Sequence, residues 1–133
     1  MKLTKDQVLS VVTEASKKMG SDANYTSVMV GGFVQTQQPI CNFIQAHERE
    51  LGGAEGIVSV IFHCALVAEA FRRAGGRIRS LSYEDLDAAA AGEPLVRLEA
   101  AQLPLHEFIK ANVENVEAQK LIAMIALAID GSA

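Results

Sequence analysis

The residues of this chain best suited to chemistry are three histidines, two cysteines, one serine placed to meet a histidine, and a knot of arginines. His47 sits beside Glu48, His63 beside Cys64 and His106 beside Glu107. A metal site needs ligands on converging faces, which within a helix means spacings of three or four. Adjacent helical residues point about 100° apart, so none of these neighbours can chelate together. His47-x-x-Glu50 has a usable spacing but stands alone. There is no repeated Glu-x-x-His, no His-Glu-x-x-His and no Cys-x-x-Cys, so no metal or cofactor is expected.

Ser59 and His63 are four apart, close enough to meet on one helix. They could look into a ligand pocket, with His47 opposite. The plain alternative is a small-residue stripe on which His63 bonds a backbone carbonyl. A nucleophilic triad would further require an orienting acid and an oxyanion site, neither of which the sequence shows, so no catalytic residue is assigned. Cys64 and Cys41 fall on apolar faces, where thiols are inert fillers. Gln35, Gln37 and Gln38 crowd the residues before Pro39; they either bond carbonyls freed at a kink or present amides to a ligand, Gln38 included.

Arg72, Arg73, Arg77 and Arg79 place four of the 12 basic residues within eight positions around Gly75-Gly76. They read either as cations offsetting a helix C-terminal dipole or as a site for a small anion or an acidic protein. Nucleic acid is not expected, because no aromatic residues interleave with the arginines and the net charge is −4. No uninterrupted apolar run reaches the ~18 residues of a membrane span, and the opening Met1–Asp6 lacks a signal-peptide core. A cytoplasmic setting with free thiols is the expectation.

The elements that must position these groups are helices. Thr4 and Gln7 form a capping box for a first helix in which Val8, Val11, Val12, Ala15 and Met19 recur at helical spacing before Gly20. From Val30 to Leu51 the apolar register runs through Pro39, which implies two helices or a sharp kink, the second helix starting at Pro39. The β-branched Ser27–Val34 leaves a short strand open as an alternative. Ala54–Ala74, closed by Gly75-Gly76, is apolar on nearly every side and reads as the central helix, with Val60, Cys64, Val67 and Phe71 in the core. Ser82 caps a short helix to Ala91, Leu95–Gln102 forms another, and a final helix runs from Pro104 to Ile129 with Val113 and Val116 facing inward. No internal repeat or linker is evident, so residues 1–133 form one all-α domain, an irregular bundle of five to six helices.

Half of the residues are apolar. Leu121–Ile129 is apolar all round its axis, more than a bundle of short helices can enclose. The expected function is therefore a non-enzymatic interaction or regulatory module that forms a homodimer through that segment. The alternative is a small-ligand-binding or metal-dependent enzyme using His47, Ser59 and His63.

Overall fold

Each break in the helical pattern has a local cause, and the breaks set the architecture. The computed structural model describes residues 1–132. Among them the chain forms nine helices: α1 (Lys5–Ser21), α2 (Tyr25–Thr36), α3 (Gln38–Gln45), α4 (Glu48–Leu51), α5 (Ala54–Arg73), α6 (Tyr83–Ala89), α7 (Pro94–Ala101), α8 (Leu103–Asn112) and α9 (Val116–Ser132). The all-α bundle around α5 is as expected. The count exceeds five to six because the stretch through Leu51, expected as two helices or a kinked one, forms three, and the expected Pro104–Ile129 helix forms two.

The first cut is at Pro39. Gln37 (φ −131°, ψ 54°) leaves the α region, ends α2 and opens α3, so Pro39 falls in the first turn where its missing N–H costs nothing. Ser27–Val34 lies within α2 and is helical, not a strand. A further break at Ala46–His47 separates the single turn α4, which ends on Gly52 at φ 84°.

The second cut divides the expected Pro104–Ile129 helix. Val113 is extended (φ −123°, ψ 118°). Asn115 then caps α9 by accepting from Ala118 N at 3.0 Å, and donates its Nδ2 to Glu50 O at 3.2 Å. Buried Gln119 holds the break from inside by donating to Val113 O. Val113 is buried as expected, but Val116 begins the new helix on the outside, 57% exposed.

The surface expected to need a partner is covered by the chain itself. From Leu121 to Ile129 every residue is buried except Leu127, which is partly so. Helices α4, α5, α6, α7 and α8 all pack on α9. Two adjoining apolar helices, α5 and α9, thus form the axis of the bundle. Helix α5 has the length and hydropathy of a membrane span, yet 56% of that stretch is buried in the fold, so its apolar residues serve the core. Val60, Cys64, Val67 and Phe71 are all within 1% of complete burial.

Two buried glutamines fasten extended segments to this core. Gln37 Oε1 accepts from Leu81 N at 2.9 Å while its Nε2 donates to Arg79 O at 2.8 Å. Gln102 Oε1 accepts from Leu3 N at 3.0 Å, and its Nε2 donates to Met1 O at 2.5 Å and to Asp130 Oδ1 at 3.0 Å. Each side-chain amide pairs with main chain as a neighbouring strand would, satisfying groups that would otherwise be buried unpaired. The helices then start at once, with capping boxes at Thr4–Gln7 and Ser82–Asp85.

Candidate functional site

Helix α1 packs across α5 and α8 and leaves an open groove beside them. Its α1 wall is Val12, Ala15, Ser16 and Met19; α5 supplies Ser59, Phe62, His63 and Leu66; Phe108 and Asn112 of α8 close it. The groove measures about 390 Å³. A smaller depression of about 210 Å³ continues it along α1 to Leu9 and Lys5, with Val12, Phe108 and Asn112 shared between the two. The sequence pattern set Val12 and Met19 at helical spacing with Val8, Val11 and Ala15, which are buried. Val12 is only partly buried and Met19 is 51% exposed, so both serve the groove.

Ser59 and His63 do come together. His63 Nδ1 lies 2.7 Å from Ser59 O. A carbonyl oxygen only accepts, so the neutral imidazole carries its proton on Nδ1 and presents Nε2 as a bare acceptor. Ser59 Oγ is 3.5 Å from that same protonated Nδ1. The ring nitrogen near the hydroxyl therefore cannot take its proton, and the pair is no nucleophile and base. Nε2 has no hydrogen-bond partner among the described residues. The ring is flanked by Phe62 (centroids 5.8 Å apart, 82°) and Phe108 (5.8 Å, 42°).

The other expected ligand-binding residues lie elsewhere. His47 does not line this groove; it follows the C-terminus of α3, where its Nδ1–H donates to Phe43 O at 2.9 Å and its ring packs on Phe43. Gln38 is exposed in the first turn of α3, and its neighbour Gln37 is the amide that the fold uses. Gln37 reaches across to residues 79–81 and not to the carbonyls of its own bend. His106 is 3.7 Å from Glu99. Among the described residues no three His, Cys, Asp or Glu side chains converge as a metal would require.

The arginines do not form one site. Arg72 and Arg73 both bond Glu69, and Arg73 also pairs with Glu14 of α1. Arg79 makes a two-pronged contact with Asp85, both arms 2.8 Å. Their heads are drawn to different elements, and of the four Arg77 alone has no carboxylate within 4 Å among the described residues. The guanidinium of Arg79 and the N–H and hydroxyl of Ser82 hold the Asp85 carboxyl far below the usual range. Both cysteines are free and buried. Burial pushes the Cys41 thiol up to about 11 and Cys64 higher still, so neither is a ready thiolate.

Phe62, Phe108 and Asn112 were not foreseen in the site. The signal for Phe62 was its place beside His63 on the central helix; nothing in the sequence links Phe108 or Asn112 to α1. Compared with known proteins, the chain matches no family model, no curated protein and no solved structure.

Proposed function

We propose that this chain is a non-enzymatic binding module whose α1–α5–α8 groove takes a small apolar molecule carrying one hydrogen-bond donor. The observation that supports it is the bare Nε2 of His63, its ring flanked by Phe62 and Phe108 in a groove whose other walls are mostly apolar, with Ser16, Ser59 and Asn112 the remaining polar side chains. Sites for small ligands measure about 300–1,000 Å³ and combine apolar walls with a few convergent polar groups. The groove meets both conditions at about 390 Å³. The position of the His63 proton argues against the hydrolytic alternative, and the scattered histidines against the metal-dependent one.

Nuclear magnetic resonance titration with a phenol or indole, beside a hydrocarbon of matched shape, tests this reading. The donor-bearing compound should shift His63 and Phe108 saturably. It should bind about 2–13-fold more tightly than its hydrocarbon partner, the ratio equivalent to one hydrogen bond of ~0.5–1.5 kcal/mol. His63→Phe should erase the difference while keeping the apolar contact. If neither compound shifts the groove residues, or if His63→Phe discriminates as well as the native chain, the proposal fails.

A second reading is supported by the rim. Leu9 and Met19 stand 48% and 51% exposed on the groove edge, and Val28 is 67% exposed on α2. Such residues suit contact with a protein partner, the commonest being a second copy in a symmetric dimer. Arg77 would suit an acidic partner. Two free buried thiols fit a cytoplasmic setting. Sedimentation equilibrium across a dilution series decides the oligomeric part: a constant monomer mass would remove the dimer.

A further inference from the structure

The two glutamine clasps agree in too many particulars to be separate inventions. Gln37 and Gln102 are each 2% exposed. Each ends one helix and opens the next, with similar backbone angles (−131°, 54° and −144°, 71°). Each accepts from the N–H of a buried leucine, Leu81 or Leu3, and donates to the carbonyl two residues before it. Each leucine is followed by a capping box that starts a helix. Downstream, Gln37-Gln38-Pro39-Ile40-Cys41-Asn42-Phe43-Ile44-Gln45-Ala46 and Gln102-Leu103-Pro104-Leu105-His106-Glu107-Phe108-Ile109-Lys110-Ala111 share Gln, Pro, Phe, Ile and Ala at five of ten positions. Even the next residues correspond, since the His47 ring and the Asn112 amide each donate to the carbonyl four back, Phe43 O and Phe108 O.

The packing obeys the same exchange. Let α1, α2, α3 and α5 stand for α6, α7, α8 and α9. Then α2 on α5 becomes α7 on α9, α3 on α5 becomes α8 on α9, and α1 on α8 becomes α6 on α3, all of which occur. Helix α5 on α9 maps to itself.

We propose that the chain is one helical unit present twice, and that each unit carries a binding site for an extended segment of the form X-X-Leu-Ser/Thr, occupied by the segment of the other unit. The straps cross: Met1–Leu3 of the first unit is held by Gln102 of the second, and Arg79–Leu81 of the second by Gln37 of the first. This is the arrangement of two copies exchanging an opening segment, here joined in one chain. On this proposal the chain holds an internal repeat that the sequence pattern alone did not display. The units diverge at the groove. By the strap alignment α6 stops at Ala89, the counterpart of Val11, and the groove-lining Val12, Ala15, Ser16 and Met19 all come after that point.

Hydrogen exchange of the full chain tests the crossing. Gln102→Ala should speed exchange of the Leu3 amide by tenfold or more and leave Leu81 protected; Gln37→Ala should do the reverse. If either alanine variant fails to fold, Gln102→Glu or Gln37→Glu keeps the acceptor for the leucine N–H and loses the donor, and should show the same crosswise pattern more weakly. Protection that is unchanged, or lost equally at both leucines, overturns the crossed assignment. Equivalence is tested by a chain in which Lys2–Gln7 is replaced by the sequence of Ser80–Asp85. It should keep native helix content and unfold in one step, at a temperature well above that of a Leu3→Asp control. Unfolding together with that control would show that the straps are not interchangeable.

Discussion

Replacing Gly56 with alanine should destabilise this protein, although the same change stabilises most helices. Gly56 lies in the first turn of α5, where α4 crosses it. A Cβ built there would lie 1.8 Å from the carbonyl oxygen of Leu51, 2.6 Å from its carbonyl carbon and 3.0 Å from its Cβ. The obstacle is main chain, so no side-chain rotation relieves it; α4 must move by more than an ångström, and Leu51, 5% exposed, would leave its core position. Forced repacking of this kind costs about 1–3 kcal/mol or more, and the upper end applies where backbone must shift. Gly→Ala in a helix returns up to ~1 kcal/mol. The net loss is about 2 kcal/mol, or roughly 6–10 °C in Tm for a domain of this length. Gly31 and Gly32 of α2 are the controls: nothing lies within 4 Å of a Cβ at either, so Gly31→Ala or Gly32→Ala should gain up to ~1 kcal/mol. Thermal and denaturant melts followed by circular dichroism measure all three variants. A Gly56→Ala protein as stable as Gly32→Ala would refute the close approach of α4 to α5.

Cys64 and Cys41 should resist a thiol reagent in the native state and react promptly in denaturant; fast native labelling would contradict the burial of α5. Because both folded thiols titrate above the ordinary 9.0, the unfolded chain releases protons first as pH rises. Stability should therefore fall from about pH 9 upward, through about 11 for Cys41, and Cys41→Ala should flatten that fall. The depressed Asp85 carboxyl works in the opposite direction: its contribution is complete above the ordinary 3.8 and is lost as pH falls below it. Asp85→Asn should remove that part of the acid sensitivity in melts recorded from pH 6 to pH 2. Ile125→Glu should unfold the chain and not merely dissociate it, since Ile125 is fully enclosed and the charge would lose several kcal/mol of hydration without a partner; a folded monomer would show otherwise.

The helices, their caps and the central place of α5 were legible because each is written in local signals: a capping box at Thr4, glycines after Arg73, and apolar spacing through Phe71. What escaped was set by distant residues. Nothing near Leu121 announces that five other helices surround it, so an all-round apolar segment read as an unmet surface when it was the second axis of the bundle. The break at Val113–Asn115 depends on Asn115 reaching Glu50 and Gln119 reaching Val113, and only the folded chain brings the first pair together. Ser59 and His63 were found as a pair because four-residue spacing is a local fact. The groove around them was not, since α8 reaches α1 through tertiary packing alone. The duplication stayed hidden because its shared residues are few and scattered and its helices differ in length; α1 runs 17 residues and α6 only seven.

The crossed straps also fix an order of events. Synthesis runs from the N-terminal side, yet the glutamine that holds Met1–Leu3 comes about a hundred residues later at Gln102, and the segment that fills the clasp of Gln37 starts at residue 79. At about 5–20 residues per second, the opening segment waits some seconds before its holder exists. Neither half can close by itself, because each lacks the piece that satisfies its own buried amide. Folding is therefore all or none, late in synthesis, and the groove, which needs α1 seated on α8, is among the last features to form. A chain stopped before residue 102 would carry Ser59 and His63 but lack α8 and α9, and have no site around them.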